Sequence, residues 1–302
     1  MIGIWGEVSK VLRGLNPGAV AQDRDRPIAI ALVAREAEDL RLLEGFLVPS
    51  QLRLHKAEQI RKRLTPLVVP LRTPPRGRTT KFDLALCSPG AAAEAGQFAA
   101  DVAVFHPQEE RALISEILER RWDLALPLAR NFLPFRHPVQ ARWIRSISLE
   151  NALFAAMTAV PDVVPTPFSL AWTAAGVASA TAVLTANQVR LAFLLAAAAD
   201  SAVGFQEQRG QITAITAAAL GWRSLARELV GKMPGGRGLL AKALMAFAGT
   251  YVTGVGLERF HALGRFLTRE EKSRAYDAAY RLGRKLLDGA LETMAARRRA
   301  VA

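Results

Sequence analysis

A single cysteine, Cys87, in 302 residues excludes an internal disulfide. With no cysteine pair there is no zinc–thiolate framework either, and a reducing compartment is expected. Histidine is almost as scarce. His55, His106, His137 and His261 show no His-x-x-x-His or related spacing, so neither a metal nor any other cofactor is expected. No Gly-x-Ser-x-Gly elbow occurs, and Cys87 has no evident base beside it, which argues against nucleophilic catalysis. A basic segment followed by a continuous apolar run is missing near Met1, so no secretory signal peptide is expected. Charge is also missing from the middle of the chain. No Lys or Arg lies between Arg145 and Arg190, and residues 168–189 carry no charge at all.

What is present is apolar and basic. Apolar residues make up 51% against 22% charged, the net charge is +13, and the pI is near 10.7. Such a chain builds real cores and is not disordered. Its charge calls for an anionic partner. Residues 1–150 carry about five net positive charges and 151–302 about eight. The more apolar half is therefore also the more basic, which favours an anionic membrane surface or an acidic protein partner. Nucleic acid is the weaker alternative, resting on Arg53 to Arg63 and Arg72 to Lys81, because it needs its positive charge in a stripe or patch.

Periodicity divides the chain. Ile4, Trp5, Val8, Val11, Leu12 and Leu15 recur at helical spacing, and Asn16-Pro17-Gly18 stops that helix. It reads as a docking helix or, with Trp5 at headgroup level, an interfacial one. Strands are expected at 28–33, 67–71, 82–87, 102–105 and 124–128, with Pro70 marking an edge. Helices are expected at 36–47, 51–64, 91–99 and 108–121. Such alternation implies a mainly parallel sheet covered by helices, a three-layer α/β domain. Beyond Val139 only helices are expected, at 139–160, 168–199, 207–230, 238–263 and 269–299. Thr268-Arg-Glu-Glu271 opens the last as a capping box. The expected division is an N-terminal helix and linker (1–24), an α/β domain (25–137) and an all-α helical domain (138–302).

A parallel sheet invites a test for phosphate binding, which needs a Gly-rich turn after the first strand. Here the strand runs into Val33-Ala34-Arg35-Glu36-Ala37, with no Gly and with an acid where an anion would sit. A later strand ends Leu86-Cys87-Ser88-Pro89-Gly90. This resembles the Asp-Thr-Pro-Gly turn of small GTPases with Cys87 in place of the metal-side Asp. Leu126-Pro-Leu-Ala-Arg-Asn131 offers no Asn-Lys-x-Asp for guanine. The resemblance implies a degenerate G domain of P-loop GTPase type without competent chemistry. If the domain binds a nucleotide or small ligand at all, the cleft would lie at the carboxyl edge of the sheet, near Ala34, Ser88, Gly90 and His106.

Residues 168–189 are long enough to cross a hydrocarbon core of about 30 Å. Several Thr and Ser residues and a dominance of Ala weaken that reading, and Ala243 to Leu257 is too short. Small residues at four-residue spacing (Ala171, Ala175, Ser179; Ala246, Thr250, Gly254) suit close helix packing in lipid or in water. If 139–160 and 168–199 are antiparallel arms about a turn near residue 164, Glu150 falls roughly 18 Å from Arg190, too far to pair. Arg190 then joins Arg136, Arg142 and Arg145 in a basic collar at the open end of the hairpin, matched to lipid headgroups or an acidic partner. The alternative is that Arg190 pairs with an acid of the C-terminal helices.

Four segments carry a further resemblance: Val160-Pro-Asp-Val-Val-Pro165, Thr185-Ala-Asn-Gln-Val-Arg190, Arg227-Glu-Leu-Val-Gly-Lys-Met-Pro-Gly-Gly236 and Ala246-Phe-Ala-Gly-Thr-Tyr251. Over about 140–262 the chain resembles the bacterial YcjF-like family of unknown function, whose members are linked to Era-like GTPase domains and described as inner-membrane. The resemblance implies a GTPase-associated helical module with a GTPase partner and no catalytic residue to carry over. The expectation is a non-enzymatic, membrane-associated scaffold or partner module at the cytoplasmic face of the inner membrane. The rival expectation is a soluble cytoplasmic nucleotide or small-ligand sensor.

Overall fold

The structure, a computed structural model, describes residues 11–70, 82–157, 180–218 and 237–301. Residues 2–10 of the expected first helix, the basic loop 74–81, the turn 161–167, most of the uncharged run 168–189 and the break at 233–236 lie outside them. The chain divides into two units. One is Gln22–Val139 with Ala198–Asp200; the other is Met1–Ala21, Gln140–Ala197 and Ser201–Ala302.

Asn16-Pro17 does more than stop the first helix. Asn16 Oδ1 accepts from the Ala19 N–H at 3.0 Å, so Asn16 caps and Pro17 opens a new helix, α1 (Pro17–Asp25). The segment expected to be linker is therefore largely helical.

In the α/β unit, β1 (Ile30–Ala34) has every residue buried, as does β3 (Leu84–Cys87). That pattern belongs to central strands of a parallel sheet, shielded on both faces. The elements run β1, α2 (Ala37–Leu47), α3 (Leu54–Arg61), β2 (Leu64–Val68), β3, a 3₁₀ turn (Pro89–Ala91), α4 (Ala92–Ala95), β4 (Val102–Val104) and α5 (Glu110–Arg120). All strand pairs are parallel, in the order β2-β1-β3-β4. β2 lies three residues earlier than expected and is an edge strand whose Pro66, not Pro70, lacks the ladder donor. At the other edge the Arg120 guanidinium donates to the Val102 carbonyl at 2.9 Å, covering an acceptor that a further strand would use.

The expected fifth strand is a helix. Trp122–Leu124 forms a 3₁₀ turn and Ala125–Asn131 forms α6. Its short apolar run is ambiguous by periodicity alone. Pro127, which would interrupt a central strand, is tolerated in a first helical turn. Asn131 Nδ2 donates back to the Pro127 carbonyl at 2.8 Å.

Among the described residues no strand occurs beyond Val104. The helices are α7 (Leu133–Met157), α8 (Ala180–Ala198), α9 (209–218), α10 (Arg237–Leu263) and α11 (Arg269–Val301). Side-chain contacts fix their directions. Asn151 of α7 meets Asn187 of α8, while Ile144 and Leu191 both face Gly254. Gln188 reaches Thr250, and Ser201 reaches His261. Residue numbers on α8 and α10 rise together, so those helices are parallel and α7 is antiparallel to both. α11 returns along α10, with Gly283 against Phe247 and Glu271 against Arg259.

The three-helix approach is close because of Gly254. A Cβ there would stand 2.7 Å from Ile144 Cγ1 and 3.1 Å from Leu191 Cδ2. Hydroxyls within these apolar helices bond their own backbone one turn back. Ser148 donates to the Ile144 carbonyl (2.6 Å), Thr185 to Thr181 (2.7 Å) and Thr253 to Gly249 (2.8 Å).

Candidate functional site

The strand order β2-β1-β3-β4 reverses direction between β1 and β3, and open parallel sheets bind ligands at the carboxyl ends of such a pair. Ser88 and Gly90 lie there, directly after β3, and Arg35 lies directly after β1. The Ser88 N–H donates to the Val33 carbonyl at 3.0 Å, tying the two strand ends together. Arg35 Nη2 pairs with Glu94 Oε1 at 2.7 Å. Its stem crosses Gly90, where an added Cβ would stand 3.8 Å from Arg35 Cδ. Ser88 Oγ and Glu94 Oε2 are buried without a hydrogen-bond partner. His106 is exposed and follows β4, one strand over on the same edge. Cys87 is fully buried and donates weakly to the Ala103 carbonyl at 3.6 Å. Burial pushes its thiol up to about 11. It stays protonated at neutral pH, and it is neither a nucleophile nor a substitute for a metal-side carboxylate.

A second cluster of the α/β unit gave no signal in sequence. Asp200, at φ 60°, accepts from Lys56 Nζ at 2.5 Å and from Arg130 Nε at 2.7 Å. Arg130 also holds Asp25 at 2.5 Å. Burial alone would raise the Asp200 carboxyl, but the Lys56 and Arg130 hydrogen bonds outweigh it and hold it below its ordinary value. Lys56, Arg130 and Asp200 are far apart in the chain, so only tertiary structure could reveal them as a group.

The helical unit carries a buried polar layer. Asn151 Nδ2 donates to Thr250 Oγ1 at 2.8 Å, Asn187 Nδ2 to Asn151 Oδ1 at 2.8 Å, and Gln188 Nε2 to Thr250 Oγ1 at 3.2 Å. These bonds link α7, α8 and α10 at one level. Asn187 Oδ1 is left without a partner. In sequence Asn187 and Gln188 stand out only as polar residues of the Thr185–Arg190 segment, and nothing there points to Asn151 as the side chain that faces them.

The collar expectation needs correction in two places. Arg190 Nη1 lies 3.3 Å from Glu150 Oε2, the pairing judged out of reach. The α7–α8 cross-links centre the antiparallel pair near residue 169 rather than 164. A five-residue shift of that centre displaces the opposing position by ten, about 15 Å at 1.5 Å per residue. Among the described residues no acid of the C-terminal helices pairs with Arg190. Arg136 belongs to the α/β unit and donates to the Ala129 and Arg130 carbonyls at 3.3 Å each. Burial lowers its pKa. Arg142 and Arg145 remain exposed on α7.

Among the described residues two helices are long and apolar enough to cross a membrane, Thr181–Ala198 and Leu240–Leu263, of which 72% and 56% lie buried inside the fold. The second is longer than the uncharged run read from sequence, and the first contains Arg190.

Compared with protein-family models, curated proteins and solved structures, the chain matches none.

Proposed function

We propose that the protein is a non-catalytic, membrane-associated scaffold or GTPase-linked partner module, in which a degenerate G-type α/β domain accompanies a YcjF-like helical domain at the cytoplasmic face of the inner membrane. The observation that carries this reading is the polar layer of Asn151, Asn187 and Thr250. It locks the two most apolar helices to each other and to α7. Their apolar residues, including Val183, Val189, Leu195, Leu244 and Phe247, turn inward, so lipid is met from outside. If both parallel helices crossed a bilayer, the connection 199–236 would have to recross it with Arg209, Arg223, Arg227, Glu228 and Lys232, at a high desolvation cost. The association is therefore peripheral and electrostatic. A neutral buried Cys87 and an acid-flanked first strand end support the absence of Mg-GTP chemistry.

Membrane fractionation tests the reading. The protein should sediment with inner membranes at low salt and leave them in high salt or carbonate. Retention after carbonate, or absence from membranes at low salt, overturns it. Calorimetry should give no tight Mg-GTP binding, and micromolar affinity would refute the degenerate assignment.

A second reading, a soluble small-ligand sensor, is favoured by one observation, the unpartnered Ser88 Oγ and Glu94 Oε2 at the carboxyl edge of the sheet. A ligand that raises the melting temperature of the wild type but not of Ser88→Ala or Glu94→Gln would establish it.

A further inference from the structure

Three cations of the α/β unit gather around one carboxylate. They are Lys56 of α3, Arg130 of α6 and Arg136 near the start of α7, and the carboxylate is Asp200. Lys56 Nζ holds Asp200 Oδ2 at 2.5 Å and Arg130 Nε holds Asp200 Oδ1 at 2.7 Å. The two nitrogens therefore stand no further apart than two hydrogen bonds and the width of one carboxylate. Arg136 is tied to the same place, because its Nη2 donates to the Arg130 carbonyl at 3.3 Å.

The charges do not balance. Asp25 accepts from Arg130 at 2.5 Å, but Arg24 also holds it, at 2.9 and 3.1 Å. Even with Asp25 assigned wholly to Arg130 and Asp200 wholly to Lys56, Arg136 has no carboxylate partner among the described residues. It is half-buried, and it donates only to two carbonyls, at 3.3 Å each. Burial works against its charge, and Asp200 is the acid that offsets this. A guanidinium taken partly out of water without an anion is costly.

Donors are left over as well. Lys56 Nζ makes one of its three possible bonds, and Arg130 Nη2 and Arg136 Nη1 make none among the described residues. The anion already in place is poorly seated. Asp200 takes φ 60°, where side chains of L-residues are seldom found. Its side chain is 29% exposed, with Lys56 at 26% and Arg130 at 24%, so the cluster is recessed yet open to a small solute. A carboxylate brings one charge and two oxygens. A phosphate group brings up to two charges and three strong acceptor oxygens, enough for Lys56, Arg130 and Arg136 together.

We propose that the Asp200 carboxylate is a tethered stand-in for a phosphate group, and that a soluble phosphate displaces it to sit on Lys56, Arg130 and Arg136. This site shares no residue with the carboxyl edge of the sheet and does not depend on the membrane reading.

Isothermal titration of the full chain with sodium phosphate, at an ionic strength fixed with sodium chloride, tests it. The wild type should bind. Asp200→Asn keeps the side-chain shape and suits the same backbone conformation, and it should bind about tenfold tighter because the competing carboxylate is gone. Lys56→Met should bind about tenfold weaker in either background, the effect of losing one charge-assisted hydrogen bond. Lys62→Met, exposed and outside the cluster, should change nothing. Melting gives a second readout: Asp200→Asn should melt below the wild type in chloride and recover in phosphate. If it stays low in phosphate, Asp200 is a structural ion pair only and the proposal fails. Absence of binding in both wild type and Asp200→Asn overturns it, as does binding that Lys56→Met leaves unchanged. Vesicles of phosphatidic acid in phosphatidylcholine separate the two sources of the group. Equal sedimentation of wild type and Lys56→Met supports a soluble ligand. Sedimentation lost in Lys56→Met, without affinity for free phosphate, overturns it in favour of a lipid headgroup.

Discussion

Gly254 offers the sharpest test of the helical unit, because its neighbour Gly256 supplies an internal control. An alanine Cβ at 254 would stand 2.7 and 3.0 Å from the two branches of Ile144 and 3.1 Å from Leu191. Both neighbours are almost fully buried and cannot swing away. At 256 the same methyl would meet Leu267 at 3.8 Å, an ordinary contact. Each substitution gains about 0.5–1 kcal/mol of helix propensity over glycine. Only Gly254→Ala also overpacks the core, at a cost of about 1–3 kcal/mol. Since the propensity gain is common to both, the difference between the variants measures the overpacking. It corresponds to a gap in melting temperature of roughly 2–12 °C for a unit of this size. Thermal unfolding by circular dichroism should place Gly256→Ala at or above the wild type and Gly254→Ala clearly below Gly256→Ala. If Gly254→Ala melts as high as Gly256→Ala, α7 and α8 do not approach α10 as described, and the helix directions inferred from that contact fail.

Asn151→Ala should destabilise by about 2–4 kcal/mol in chemical denaturation, because it leaves Asn187 Nδ2 buried without its acceptor and Thr250 Oγ1 without its strongest donor. A cost under 0.5 kcal/mol would mean the layer is not formed. For Glu150 and Arg190, both more than a third exposed or close to it, a double-mutant cycle with Glu150→Arg and Arg190→Glu should return a coupling of only about 0.5 kcal/mol. No recovery in the charge-swapped protein would remove the pair. The Glu271 carboxyl is held at about 2, against an ordinary 4.5, chiefly by the Arg265 hydrogen bond. A carboxyl depressed in the folded state contributes fully above pH 4.5 and loses that contribution as pH falls toward 2. The melting-temperature gap between wild type and Glu271→Gln should close over that window, and a constant gap would contradict the assignment. Cys87 should react with thiol reagents only after unfolding, and rapid labelling of the native protein would contradict its burial.

Much of the architecture is local information. Pro-bounded apolar runs gave β1 and β3, because a strand buried on both faces is written as a short unbroken hydrophobic segment. The capping box at Thr268 and Glu271 gave the start of α11 to within a residue, since both halves of that interaction lie within one turn of chain. The Leu124–Leu128 run was misassigned because five apolar residues fit a buried strand or a buried helix equally well. Position in the fold decided between them.

The candidate sites show the same division more sharply. From sequence alone came the missing phosphate loop, the lone cysteine, the charge-free middle and the basic excess, all properties of composition and spacing that folding does not alter. Tertiary structure alone decided that Arg190 meets Glu150, because a few residues' uncertainty at an apolar turn becomes one helical turn after another of displaced register. It alone brought Lys56, Arg130 and Asp200 together, set Asn151 against Asn187 and Thr250, and ran α8 parallel to α10. Each of these depends on contacts between residues distant in the chain, and the free energy that selects them belongs to the packed core rather than to any segment of sequence.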